Sequence, residues 1–174
     1  MASLPQLIQA IRAQYPLPWA GLHGVTHWGR VYENGLRVAE TTRADAEVLL
    51  LFCLFHDACR MTEGWDRGHG RRGADLAARM RGEFFDVSPA QFELIYDACE
   101  RHTEGLTDGD PTLQTCWDAD RLDLARASIV PSPEKLCTEA ARDRALIDWA
   151  TERSLRRSVP DWLESTWGTQ AATG

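Results

Sequence analysis

The chain has 174 residues, 19 Lys and Arg against 26 Asp and Glu, and a formal net charge of −7. That length suits one domain able to bury a core. The acidic balance, with no basic stripe interleaved with aromatics, argues against nucleic acid as a partner.

Helix signals dominate along the chain. Ser3-Leu4-Pro5-Gln6 has the form of a capping box with an early proline and opens a short amphipathic helix. Pro16 and Pro18 enforce an extended stretch, after which Thr26 is placed to cap a helix running to about Thr41. A second long helix is expected over about 43–59. It contains the apolar run Val48-Leu49-Leu50-Leu51-Phe52-Cys53-Leu54-Phe55, which closes on His56-Asp57. Residues 62–68 read as a loop, followed by a helix from His69 to about Arg81. Ser88-Pro89-Ala90-Gln91 is the clearest capping box and opens a helix to about His102. After a loop over 105–111 comes a helix carrying Trp117 to Ala127. Pro131 and Pro133 interrupt the chain, and a final long helix is expected over about 138–156. Pro160 starts a tail whose Trp162 and Trp167 are expected to pack back, with residues 169–174 fraying. Strand signals are scarce, and repeats and interdomain linkers are lacking. The expectation is an all-α, single-domain helical bundle over 1–174, with its C-terminal helix and tail at 138–174.

Five cysteines without a Cys-x-x-Cys pair argue against a disulfide framework or a thiolate zinc site. The longest apolar run is too short to span a bilayer, and a basic segment followed by a long apolar run is not found at the N-terminus. A cytoplasmic protein with no membrane partner is expected. A homo-oligomer through the tryptophan-containing C-terminus is left open.

His56 and Asp57 are costly at the end of so apolar a run unless something binds them. A divalent metal is the fitting partner, because imidazole and carboxylate are its usual nitrogen and oxygen ligands. His27, His69, His102 and Asp120 are further candidates. Helical spacing puts each on the face its own helix should bury: His27 with Val31, Gly35 and Val38, and His102 with Phe92, Ile95 and Cys99. Taken singly, each histidine also reads as a core residue with one hydrogen bond. Six such residues together are harder to explain that way. His23, between glycines, reads as loop or pocket rim rather than ligand.

The pattern resembles the HD-domain superfamily of metal-dependent phosphohydrolases, with a motif core over about 25–127. The resemblance rests on Gly24-Val25-Thr26-His27, Leu54-Phe55-His56-Asp57, His69-Gly70 with Gly73-Ala74-Asp75-Leu76-Ala77, Arg101-His102, and Asp118-Ala119-Asp120-Arg121-Leu122-Asp123. It implies His27, His56, Asp57 and Asp120 as ligands of one metal, and selects Asp120 over Asp118. Family members with two further histidines hold a second metal. By that resemblance His69 and His102 are its ligands, and Asp57 bridges the two ions. Arg101-His102 departs from the paired histidines of several dinuclear members. The implied cofactor is one or two divalent transition-metal ions: manganese, iron, cobalt, nickel or zinc.

The implied activity is hydrolysis of a small phosphorylated substrate such as a nucleotide. Arg60, Arg71, Arg72, Arg101 and Arg121 lie near the candidate ligands, and arginine suits bidentate phosphate contact. Arg60 and Arg72 are the first choices to act with Asp57 on the substrate, whereas Arg121 is placed to brace its helix. Glu63, Asp66 and Glu104 are expected to support histidine N–H groups or to solubilise loops. Trp117 reads as core, and the loop around Trp65 as a lid. Two other readings fit the same residues: a mixed-valent di-iron oxygenase of the same fold, and a non-catalytic nucleotide-binding sensor.

Overall fold

The structure, a computed structural model, describes residues 2–167. The fraying expected over 169–174 lies outside them. The elements are α1 (Leu4–Gln14), α2 (Val25–Thr42), α3 (Ala46–Phe55), α4 (His69–Met80), α5 (Pro89–Arg101), α6 (Pro111–Arg121), 3-10 turns at Leu124–Ala127 and Pro133–Lys135, α7 (Glu139–Arg142), α8 (Arg144–Leu155) and α9 (Leu163–Trp167). Among the described residues the only bridge-type pairing is an isolated one, Arg81 with Phe85. The fold is all-α, as expected.

The centre of the bundle is α3, packed against α2, α4, α5 and α6. Val48, Leu49 and Leu51 through Phe55 are buried, and a helix that is apolar on nearly every side must be enclosed by others. It begins later than the expected position near Arg43. Arg43 instead ends α2 in the left-handed region, at φ 56°. Asp45 then caps α3, accepting from Glu47 N at 2.9 Å and Val48 N at 3.2 Å. The helix also stops sooner, at Phe55. His56 and Asp57 fall in a tight turn, with Ala58 N donating to Phe55 O and Arg60 N to Asp57 O.

The α2 helix starts at Val25 with Gly24 as its N-cap, so Thr26 is not the cap. Val25 N donates to Trp19 O at 2.7 Å. The backbone is so close here that a Cβ on Gly24 would lie 2.1 Å from that oxygen. The Ser88 capping box forms as expected: Gln91 N donates to Ser88 Oγ, and Ser88 N donates to Gln91 Oε1.

Two boundaries near the C-terminus differ from expectation. α6 ends at Arg121 and tightens, Asp123 N donating to Asp120 O, before the 3-10 turn at Leu124–Ala127. The single helix expected over 138–156 is two. Thr138 caps α7 through Ala141 N, and Asp143 takes an extended backbone and caps α8 through Leu146 N. These pieces enclose a smaller apolar cluster of Val38, Leu122, Leu136, Ala141, Ile147 and Ala150. The tail packs back on α2: Trp162 and Trp167 meet the Tyr32 ring at centroid distances of 5.8 and 5.9 Å. No described helix is long and apolar enough to cross a membrane. All five cysteines are free thiols.

Candidate metal centre

Four helices meet around α3, and the five together bring six side chains to one buried place. His27 comes from the first turn of α2, His56 and Asp57 from the turn after α3, His69 from the start of α4, His102 from the end of α5, and Asp120 from α6. His27 and His56 are fully buried and Asp57 nearly so. Two groups have ligand atoms all within 4.8 Å of one another: His27, His56 and Asp57, and Asp57, His69 and His102.

The four imidazoles share one arrangement. Each Nδ1 faces an oxygen outside the centre: Asp123 Oδ2 for His27 at 2.7 Å, Cys53 O for His56 at 3.1 Å, Asp66 O for His69 at 2.7 Å, and Cys99 O for His102 at 2.7 Å. Those acceptors assign the ring proton to Nδ1 and leave an Nε2 lone pair pointing inward. The lone pairs meet in twos. His27 Nε2 lies 3.1 Å from His56 Nε2, and His69 Nε2 lies 3.0 Å from His102 Nε2. Two nitrogens bound at a right angle to one ion stand about 3.0 Å apart, taking metal–nitrogen bonds of about 2.1 Å. The donor set therefore fits a divalent metal.

Asp57 faces both groups. Its Oδ1 lies 3.1 Å from His69 Nε2 and 3.9 Å from His102 Nε2. Its Oδ2 lies 3.6 Å from His27 Nε2 and 3.7 Å from His56 Nε2. Asp120 Oδ1 lies 3.4 Å from His27 Nε2 and 3.9 Å from His56 Nε2. That oxygen is buried and has no hydrogen-bond partner among the described residues, which makes it an acceptor aimed at the first group. Asp118 points elsewhere. It accepts from Cys137 N, Thr138 N and Thr138 Oγ1, tying the C-terminal segment to α6.

Burial disfavours charge on two of the imidazoles. It pushes His56 down to about 3 and also lowers His102, although the neighbouring carboxylates oppose it. Burial alone would raise the aspartates. His56, His23 and His69 hold Asp57 well below the usual carboxylate range, and His27, His56 and Arg126 do the same for Asp120. Neutral imidazoles beside ionised carboxylates are the protonation states a metal ion requires.

Three contributors escaped the sequence reading. Asp123 orients His27 and takes a two-pronged contact from Arg30, at 2.7 Å from Nε and 2.9 Å from Nη2. Arg30 is three residues after His27 and Asp123 three after Asp120, so helical spacing held the clue. His23 is no rim residue. It is buried, with Nδ1 3.0 Å from Asp57 Oδ2 and Nε2 3.2 Å from Glu63 O. Arg126 places Nη2 3.9 Å from Asp120 Oδ1. Neither His23 nor Arg126 shows a sequence signal beyond residue type.

The arginines near the candidate ligands have different surroundings. Arg60 is buried, with Nη1 3.2 Å from His69 Nε2 and 3.5 Å from Asp57 Oδ1, while Nη2 donates to Gly64 O at 2.7 Å. Arg72, expected at the substrate, is instead committed to Asp66 at 2.6 and 2.7 Å and to the carbonyls of Cys59 and Arg67. It holds the 62–68 loop, and Asp66 O in turn orients His69. Arg121 braces its helix through Lys135 O and Leu106 O. Arg71 and Arg101 pair with Glu100 and Glu104 at the surface. Trp117 is core, donating to Ala98 O, whereas Trp65 is 90% exposed.

The HD domain family model matches residues 24–127, a span that contains all six candidate ligands. The chain belongs to the HD-domain family. Two proteins of Vibrio vulnificus, strains YJ016 and CMCP6, each named a soluble pyridine nucleotide transhydrogenase, are 29% identical over 108 residues. The match covers 60% of this chain and 22% of theirs, so the HD chain corresponds to about a fifth of those relatives' length. No solved structure matches.

Proposed function

We propose that this HD domain is a metal-dependent phosphohydrolase acting on a small phosphorylated molecule, a nucleotide being the leading class. The observation that carries the reading is the convergence of four proton-free Nε2 atoms on two carboxylates, one of which keeps an unpartnered oxygen. A bound divalent ion supplies a water that ionises near neutral pH and a positive charge for the phosphoryl oxygens. His27, His56, Asp57 and Asp120 would hold one ion, and His69, His102 and Asp57 a second. Arg60, whose guanidinium already stands beside both His69 and Asp57, provides fixed positive charge for a phosphate. His23 holds Asp57 through Oδ2, and Asp123 keeps His27 in the tautomer that offers Nε2.

The relatives' name concerns pyridine nucleotides, and Gly68-His69-Gly70-Arg71-Arg72-Gly73 has the spacing of a dinucleotide-binding loop. Here that segment follows a loop rather than a strand and opens α4. Gly73 serves packing, since a Cβ there would lie 2.2 Å from Phe55 O. Transhydrogenation is therefore not carried over to this chain.

The test is phosphate release from a panel of nucleoside monophosphates and other phosphomonoesters, with manganese or with chelator. Hydrolysis that needs metal and disappears in Asp57→Ala supports the proposal; hydrolysis surviving that change refutes it. The second group, with Asp57 facing both, also suits the di-iron oxygenase reading. Metal analysis after anaerobic purification, with absorption spectra under oxygen, separates the two.

A further inference from the structure

A second cavity, of about 190 Å³, opens beside the N-terminus of α2 and takes no part in the metal centre's ligand groups. Arg30, Arg126 and Arg157 line it with Thr26, and no carboxylate does. Three arginines around one small cavity are unexpected in a chain of net charge −7. Asp123 faces Arg30 and Arg126, and Asp120 lies 3.9 Å from Arg126, which leaves Arg157 without a counter-charge among the described residues.

Two of the three are fixed. Arg30 is 2% exposed and makes three hydrogen bonds, to both Asp123 oxygens and to Ser158 O. Arg126, with a side chain 4% exposed, donates to Leu22 O and Asp123 O. A guanidinium carries five N–H donors, so each keeps some uncommitted. Arg157 is exposed and joins no ion pair among the described residues. Its backbone is unusual. Ser158 N donates to Arg153 O and Arg157 N to Ser154 O, the two bonds of a Schellman turn ending α8. Arg157 holds the left-handed position of that turn, φ 51°, where glycine is the usual residue. α2 adds its positive end, because its N-cap is Gly24 and no side chain caps the first-turn amides.

We propose that this cavity binds a phosphate-class anion, held by Arg30, Arg126 and Arg157 at the start of α2. The site is separate from the metal centre but shares a wall with it, since Arg126 lines the cavity and its Nη2 lies 3.9 Å from Asp120 Oδ1. The proposal does not require the hydrolase reading. Free inorganic phosphate and the phosphate of a larger ligand present the same oxygens to these arginines.

Inorganic phosphate and a nucleoside 5′-monophosphate are each titrated into the wild-type protein and into Arg157→Gly, at matched ionic strength and in excess chelator. Calorimetry and the thermal midpoint are read. Glycine suits the backbone at 157, so the variant is expected to melt, without anion, at or above the wild-type temperature. Phosphate, the monophosphate or both should raise the wild-type midpoint in chelator, and affinity should fall at least tenfold in Arg157→Gly. Binding by inorganic phosphate identifies a free-anion site; binding by the monophosphate alone identifies a subsite for a larger ligand. An anion effect that chelator abolishes, one that Arg157→Gly leaves unchanged, or none with either compound overturns the proposal.

Discussion

The Nδ1 of His27 and Oδ2 of Asp123 lie 2.7 Å apart, a buried bond that joins the first helix of the metal centre to the turn after its last. Asp123 also takes both prongs of Arg30, and these neighbours hold its carboxyl down to about 2 against the effect of burial. One carboxylate thus sets the tautomer of a candidate ligand and neutralises a buried cation.

Two substitutions at Asp123 should separate these roles. Asp123→Asn keeps an acceptor for His27 but loses the charge, and metal affinity should fall about 10–100-fold. Asp123→Ala leaves Arg30 buried and unpaired, and should cost about 3–5 kcal/mol of stability. Metal titration and urea unfolding read the two effects.

Asp118 and Asp120, two residues apart, should behave in opposite ways. Asp118→Ala removes three hydrogen bonds to the 137–138 backbone and side chain, lowering stability by about 3 kcal/mol while metal stoichiometry holds. Asp120→Asn should fold and bind metal poorly. Metal content of the folded fraction distinguishes them, and equal metal loss in both variants would contradict the geometry.

The metal-free protein should weaken in acid. His56 and His102 have pKa values lowered by burial, so below about pH 6.5 the unfolded chain binds protons that the folded chain does not. Stability is therefore full above the unfolded value and falls as pH drops, for His56 down toward its folded value of about 3. Well inside that window His56 contributes a slope approaching about 1.4 kcal/mol per pH unit, and His102 acts in the same direction. Urea midpoints of chelated protein at pH 7.5, 6.5 and 5.5 check the sign.

Arg60 and Arg72 should part company in activity. Arg60→Ala should depress phosphate-ester hydrolysis, the guanidinium being at the ligand groups. Arg72→Lys breaks the two-pronged hold on Asp66, so it should act on the 62–68 loop. Limited proteolysis of that loop is the readout for Arg72, and steady-state kinetics for Arg60.

The amino-acid order alone determined the helical class, the enclosed nature of the Val48–Phe55 run and the family, because periodicity and motif residues are local properties. It also brought forward the six candidate ligands. It did not determine where the ligand-bearing elements end. Asp45 and Asp143 read simply as charges until folding shows them capping α3 and α8. Nor did it reveal His23, Asp123 or Arg126, whose place depends on partners 34, 96 and 103 residues away in the chain. The tertiary structure alone decided that Arg72 is committed to the 62–68 loop and its flanks whereas Arg60 reaches both that loop and the ligands, since donors of one chemical type differ only in which acceptors packing brings within reach.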